Sequence, residues 1–207
     1  AYIPDTYNNR IQAFALNGSY LFEFGNRWDK TYSFKLPTDI IASEDKLYVL
    51  DKGNSMVKVF NLSGAPLLSF GGKAKSSPGL WHPQGFDIID NKLYIADTYN
   101  HRVVIYDINS TFFKSFGMKG KGPGNFRTPT DLAIDNNFVY VVDTQNQRVQ
   151  KFDLDGNYIA HWGTYTSREE GFRFPFGIAA INSLVYVSDS NNPRIKVYTD
   201  NGPLLDI

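Results

Sequence analysis

The chain contains no cysteine, only two methionines and three histidines, and no excess of either charge sign: 21 basic and 21 acidic side chains cancel over 207 residues. Each scarcity excludes something. Without cysteine there is no disulfide framework, no thiolate-ligated zinc and no cysteine nucleophile, although the redox compartment stays open. A balanced charge is not that of a nonspecific polyanion binder, provided the charges are evenly spread. No uninterrupted apolar run is long enough for a membrane-spanning helix, so no membrane insertion is predicted. The first residues, Ala1 to Arg10, lack the charged start and apolar centre of a signal peptide. Aromatic residues are abundant instead: 13 Tyr, 16 Phe and 3 Trp, beside 17 Gly and 10 Pro. That composition belongs to a folded, turn-rich chain able to bury a core without staples.

Displaced by 46 residues, the sequence matches itself from end to end. Pro37, Pro83, Pro129 and Pro175 coincide, as do Tyr2, Tyr48, Tyr94, Tyr140 and Tyr186. So do Asp5, Asp51, Asp97, Asp143 and Asp189, then Asn8, Asn54, Asn100, Asn146 and Asn192, then Gly25, Gly71, Gly117 and Gly163. No insertion breaks the phase, which gives about 4.5 repeats. Each repeat carries four short runs rich in Val, Ile, Tyr and Phe, punctuated by Gly, Asn, Asp and Pro. In the third repeat they are Gly85–Ile89, Leu93–Ala96, Val103–Tyr106 and Phe112–Phe116. No stretch has helical periodicity. The prediction is an all-β fold, a β-propeller of four-stranded antiparallel blades in a single domain, with blades near 1–25, 36–71, 82–117, 128–163 and 174–207. The series Phe14, Phe60, Tyr106, Phe152, Tyr198 and Phe24, Phe70, Phe116, Trp162 supply the filling between stacked blades.

The third repeat reads Pro83-Gln-Gly85, then Leu93-Tyr94-Ile95-Ala96-Asp97-Thr-Tyr-Asn100-His-Arg102-Val103, then Phe116-Gly117. The fourth reads Val139-Tyr140-Val141-Val142-Asp143-Thr-Gln-Asn146-Gln-Arg148-Val149, then Trp162-Gly163. This pattern resembles the NHL repeat family, and the resemblance covers nearly the whole chain. It implies a propeller, most often six-bladed, in scaffolding and sensing roles. The second repeat departs from the motif: Met56 stands where Arg10, Arg102, Arg148 and Arg194 stand. The chain begins in the phase of a second strand and stops in that of a fourth. The expectation is therefore an excerpt of a six-bladed ring, or a five-bladed ring incompletely closed. An unclosed blade edge invites self-association.

Three sets of residues carry candidate chemistry. The recurring Asp-x-x-Asn-x-Arg turn includes Asp97, Asn100 and Arg102, Asp143, Asn146 and Arg148, and Asp189, Asn192 and Arg194. Copying into every blade marks it as structural, since a turn must be repeated and a catalytic group need not be. The histidines, His82, His101 and His161, fall at an inner-strand start, in a turn and in an outer strand, so they do not form one metal site. By resemblance, amidating lyases on this type of propeller place their histidines on the inner strands. Asp39 and Asp131 share one repeat position, held by Gly85 and Gly177 elsewhere, and are a weak candidate for a hard cation at the channel mouth. Two solvated carboxylates are the preferred reading. No catalytic residue and no cofactor is predicted, and neither glycine-rich stretch precedes a helix as a phosphate loop would.

The neutral total conceals a polarised distribution. The loops 26–35, 72–81, 118–127 and 164–173 should share one face, and they hold ten basic side chains against three acidic ones, a net +7. The loops predicted on the opposite face hold Lys46 and Lys92 against eight carboxylates, a net −6. The candidate partner-binding face comprises Arg27, Trp28, Lys30, Lys73, Lys75, Tyr99, His101, Lys119, Lys121, Tyr165 and Arg168. The leading functional reading is a noncatalytic interaction scaffold that binds a protein, peptide or surface polymer through that face. One alternative is single-stranded RNA binding by the same face. The other is a metal-dependent lyase or hydrolase at the central channel. The compartment is not fixed by the sequence, with an extracytoplasmic one slightly favoured.

Overall fold

The computed structural model describes residues 1–25, 32–75, 78–165 and 171–206. They pack as two compact units, Ala1–Gln84 and Gly85–Ile207. The first unit holds a three-stranded sheet, β1 (Tyr2–Asp5), β2 (Arg10–Phe14) and β3 (Tyr20–Phe24), and a four-stranded sheet, β4 (Pro37–Ser43), β5 (Lys46–Asp51), β6 (Met56–Asn61) and β7 (Pro66–Gly71). The second holds three four-stranded sheets: β8 (Phe86–Ile89) to β11 (Phe112–Phe116), through β9 (Lys92–Asp97) and β10 (Arg102–Asp107); β12 (Pro129–Asp135), β13 (Phe138–Asp143), β14 (Arg148–Asp153) and β15 (Tyr158–Trp162); and β16 (Pro175–Ile181), β17 (Leu184–Asp189), β18 (Arg194–Thr199) and β19 (Leu204–Asp206). Each sheet is an antiparallel meander in chain order, the blade the repeat predicts.

Local chemistry sets these elements. Asn and Asp-rich pairs such as Asn136-Asn137 (φ 48° and 67°) join first to second strands in tight turns that need positive φ. Third and fourth strands are joined by turns in which a side chain caps the backbone: Asn61 Oδ1 accepts the Ser63 amide (3.1 Å) and Asp153 Oδ1 accepts that of Asn157 (2.8 Å). Gly156 (φ 80°) closes one of these turns where a Cβ would strike the Phe116 ring of the preceding blade. A register shift interrupts the pairing of third and fourth strands at one repeat position in all five sheets, between Ala13/Phe14, Val59/Phe60, Ile105/Tyr106, Lys151/Phe152 and Val197/Tyr198.

The blades bury their faces on one another within each unit. In the second unit Tyr94, Val103, Val139, Val141 and Phe152 form one interblade core, and Tyr140, Val149, Val185, Val187 and Tyr198 form the next. Phe126 and Phe172, from the loops entering the fourth and fifth blades, plug these cores and are fully buried. In the first unit Phe34 takes the same place beside Phe24 and Phe60. Central strands that are buried on both faces explain the continuous apolar runs such as Leu-Tyr-Ile-Ala. In the β16–β19 sheet Ile195 is 60% exposed, whereas Val103 and Val149 at its repeat position are buried. Among the described residues no helix is long and apolar enough to cross a membrane.

Candidate functional site

The Asp-x-x-Asn-x-Arg segment folds as a short 3-10 turn between second and third strands, at Thr98–Asn100 and Thr144–Asn146. Asp97 Oδ2 accepts Arg102 Nε (2.8 Å) and Asn100 Nδ2 (2.9 Å), and Asp143 repeats this with Arg148 (2.8 Å) and Asn146 (2.8 Å). Asp189 does so with Arg194 (3.1 Å) and Asn192 (2.9 Å). The other carboxylate oxygen reaches back to the loop that entered the blade: Asp51, Asp143 and Asp189 accept the amides of Lys35, Arg127 and Arg173 at 2.6–2.8 Å. Burial pushes the Asp143 carboxyl up, against the pull of the Arg127 amide, Asn146 and Arg148. The left-handed residue is the one after the Asn, His101 (φ 58°) or Gln147 (φ 56°).

That left-handed position does a second job that was invisible in the sequence. Its side chain accepts a backbone N–H from the loop entering the next blade. Asn9 Oδ1 takes the Leu36 amide (2.8 Å), Ser55 Oγ that of His82 (3.2 Å), His101 Nδ1 that of Thr128 (3.0 Å) and Gln147 Oε1 that of Phe174 (2.6 Å). Each residue that donates its N–H has positive φ, between 50° and 64°, and precedes the repeated proline. Three of these bonds latch one blade to the next inside a unit, Asn9 to Leu36 in the first and His101 to Thr128 and Gln147 to Phe174 in the second, while the Ser55 bond ties the β5–β6 turn to His82 within the first unit. His101, expected on the partner-binding face, is one of these acceptors, and its imidazole must present an unprotonated Nδ1.

The acidic candidates for a cation are also tied to backbone. Asp131 Oδ1 accepts the Leu132 amide (2.9 Å) and Oδ2 the Ile178 amide (3.0 Å) of the next blade. Asp87 does the same with Ile88 and Ile134, both at 2.8 Å, and burial pushes its carboxyl up. Asp39, in the other unit, accepts the Ile40 amide at 2.8 Å. Glycine at this repeat position has a steric reason at Gly85, where a Cβ would run into Asp131. Among the described residues no three His, Cys, Asp or Glu side chains gather as metal ligands.

The cationic loops form one corner in each unit. In the first, Lys73 and Lys75 lie over the Trp81 ring, 5.8 and 5.5 Å from its centre. Lys52 donates to Gln84 Oε1 at 2.9 Å. Burial holds the His82 imidazole below its ordinary value, and Lys52, Lys73 and Lys35 add to the effect. In the second unit, burial together with Lys119 and Arg127 lowers His101. There a pocket of about 260 Å³ opens over the 3-10 turn, with Lys121, Arg127, Gln145 and Tyr165 at its rim and Asn146 and Arg148 at its base. A larger recess of about 550 Å³ beside Trp162, Tyr198 and Gly202 has no charged side chain in its lining. Tyr165 is 72% exposed and Tyr99 47%. Arg27, Trp28, Lys30 and Arg168 lie outside the described residues.

The family DUF5128, described as a 6-bladed beta-propeller, matches residues 81–162. No curated protein matches the chain. Among solved structures, the chain is similar to virginiamycin B lyase from Staphylococcus aureus, including a catalytically inactive H270A form with quinupristin (TM-score 0.72, 14% identity, 98% of this chain and 64% of that one). A selenomethionine form of the lyase from the same organism gives a TM-score of 0.73 at 14% identity over 100% of this chain and 65% of that one. A chain of a nidogen–laminin complex gives 0.67 at 15% identity, over 98% of this chain and 76% of that one. At these identities the likeness is one of fold: the chain is built as a β-propeller, and it spans about two thirds of the lyase chains.

Proposed function

We propose that the chain is a noncatalytic binding module of NHL type, which takes a protein or peptide through the cationic loops that join its blades. One observation carries the reading. Lys73 and Lys75 in the first unit, and Lys119, Lys121 and Arg127 in the second, have no ion-pair partner among the described residues, whereas the turn arginines Arg102, Arg148 and Arg194 each face an aspartate. Cations left uncompensated by their own protein are available to an anionic partner. The nidogen–laminin assembly is a precedent for a similar fold in a protein–protein complex.

The test uses defined probes at low salt. A labelled oligoglutamate peptide should bind the chain. Reversing Lys73, Lys119 and Lys121 to Glu should weaken binding at least about tenfold while leaving the unfolding midpoint in place. Unchanged affinity in that variant would overturn the choice of loops. Preferential binding of oligouridine, with a steep loss as salt rises, would favour the RNA reading instead.

A further inference from the structure

The pocket over the Thr144–Asn146 turn allows a finer statement, because most of its polar groups are already spent. At its base, Arg148 places Nε on Asp143 and a terminal nitrogen on the Gly122 and Asn125 carbonyls, at 2.9 and 2.8 Å. The Asn146 amide donates to Gly120 O (2.9 Å) and Asp143 Oδ2 (2.8 Å). The backbone of the turn is spent as well: Gln145 N donates to Arg127 O and Gln147 N to Thr144 O, both at 3.1 Å. Among the lining side chains, the donors with no hydrogen bond to another described residue include the Lys121 ammonium, the Arg127 guanidinium, the Gln145 and Gln147 side-chain amides and the second terminal nitrogen of Arg148. Among the described residues neither Lys121 nor Arg127 has a carboxylate partner.

We propose that this pocket takes a side-chain carboxylate from an acidic peptide segment. The proposal rests on the binding-module reading above and narrows it to one corner of the second unit. Size decides the scale of the ligand. About 260 Å³ lies below the range of roughly 300–1,000 Å³ that houses a whole small molecule, so the pocket accepts the end of one side chain of a larger partner. Chemistry decides the group. A planar guanidinium beside one ammonium matches the two oxygens of a carboxylate, whereas phosphate sites built on backbone N–H groups need free amides that this turn does not offer. The rim decides that the partner is a peptide. Tyr165 is 72% exposed, and Phe174 and Phe176, stacked at 6.5 Å and 41% and 42% exposed, adjoin the pocket through the bond from the Phe174 amide to Gln147. Exposed rings around a charged centre suit the apolar residues that flank an acidic one.

Fluorescence anisotropy with labelled hexaglutamate at low salt tests this on the intact chain. Arg127→Met and Lys121→Met should each weaken binding about tenfold, the loss of one charge-assisted hydrogen bond. Tyr165→Ala should weaken it less. Lys92→Met removes the same charge away from the pocket and should leave affinity unchanged, with all variants checked for an unaltered unfolding midpoint. Wild-type affinity in both Arg127→Met and Lys121→Met overturns the pocket. Losses confined to Lys73→Met and Lys75→Met overturn it while leaving the binding-module reading in place, and failure of the wild-type chain to bind hexaglutamate overturns both. An oligothymidylate that displaces the peptide at lower concentration than unlabelled hexaglutamate overturns the choice of occupant.

Discussion

At the residue scale, the repeat is a set of jobs more than a set of identities. Met56 looked like a break in the Asp–Arg pairing, but Lys58, two residues on and on the same side of β6, places Nζ 2.9 Å from Asp51 Oδ2. Both side chains are buried, at 2% and 0% exposure, so the pair is desolvated and removing one partner strands the other. Lys58→Met should cost about 3–5 kcal/mol in urea denaturation. Adding Met56→Arg to it should recover most of that loss, because Arg occupies this position in the other repeats. The latch position shows the same economy, and there only His101 titrates. Burial, Lys119 and Arg127 hold its pKa below 6.5, so the native state binds fewer protons than the unfolded chain just below that pH. Its contribution is therefore present above pH 6.5 and lost as pH falls through the depressed value, when a proton on Nδ1 displaces the Thr128 amide. His82 and His161 are shifted the same way and add to the slope. His101→Gln, which keeps an acceptor as Gln147 does, should flatten the pH dependence of stability below pH 6.5 without lowering stability at neutral pH. An unflattened profile would remove His101 from the account.

At the scale of the strand, one of the two glycines that alternate with Asp is required by packing, which the sequence displayed without explaining. Asp131 reaches across to the first strand of the next blade and needs the space in front of Gly85. A Cβ on Gly177 would meet only ordinary contacts, 3.4 Å from Ser188 Oγ and 3.7 Å from Asp131. Gly85→Ala should cost about 1–3 kcal/mol by overpacking, while Gly177→Ala should change stability by less than about 1 kcal/mol. Equal melting temperatures for the two variants would show that Asp131 has room to move. The strands and their order were readable in advance because period, turn residues and apolar runs agree with one another. The third-repeat strands differ by no more than one residue at either end from their sequence boundaries; the first begins one residue later, at Phe86, and the second takes in Lys92 and Asp97. The latches were not readable, because Asn, Ser, His and Gln share no pattern that marks them as four acceptors for one amide.

For the whole molecule, the 46-residue period specified the propeller class, and 82 residues of family similarity together with the solved lyase and nidogen–laminin structures agree with it. The candidate site was legible only in part. Counting charge by loop pointed to Lys73, Lys75, Lys119 and Lys121 and included Arg127, but the candidate face left Arg127 out and Gln145 and Gln147 were not singled out, since nothing in one dimension shows that the entering loop folds over the 3-10 turn of its own blade. The charge separation implies that binding of an acidic partner weakens with salt, as screening acts on exposed loop cations. Hydrogen exchange across the chain, free and saturated with hexaglutamate, is the most direct test of the central claim. The account predicts slowed exchange in the segments 72–75 and 118–127 and none in the acidic turns 44–46, 90–92 and 135–137. Protection confined to those acidic turns, or to the exposed face of β16–β19, would contradict it.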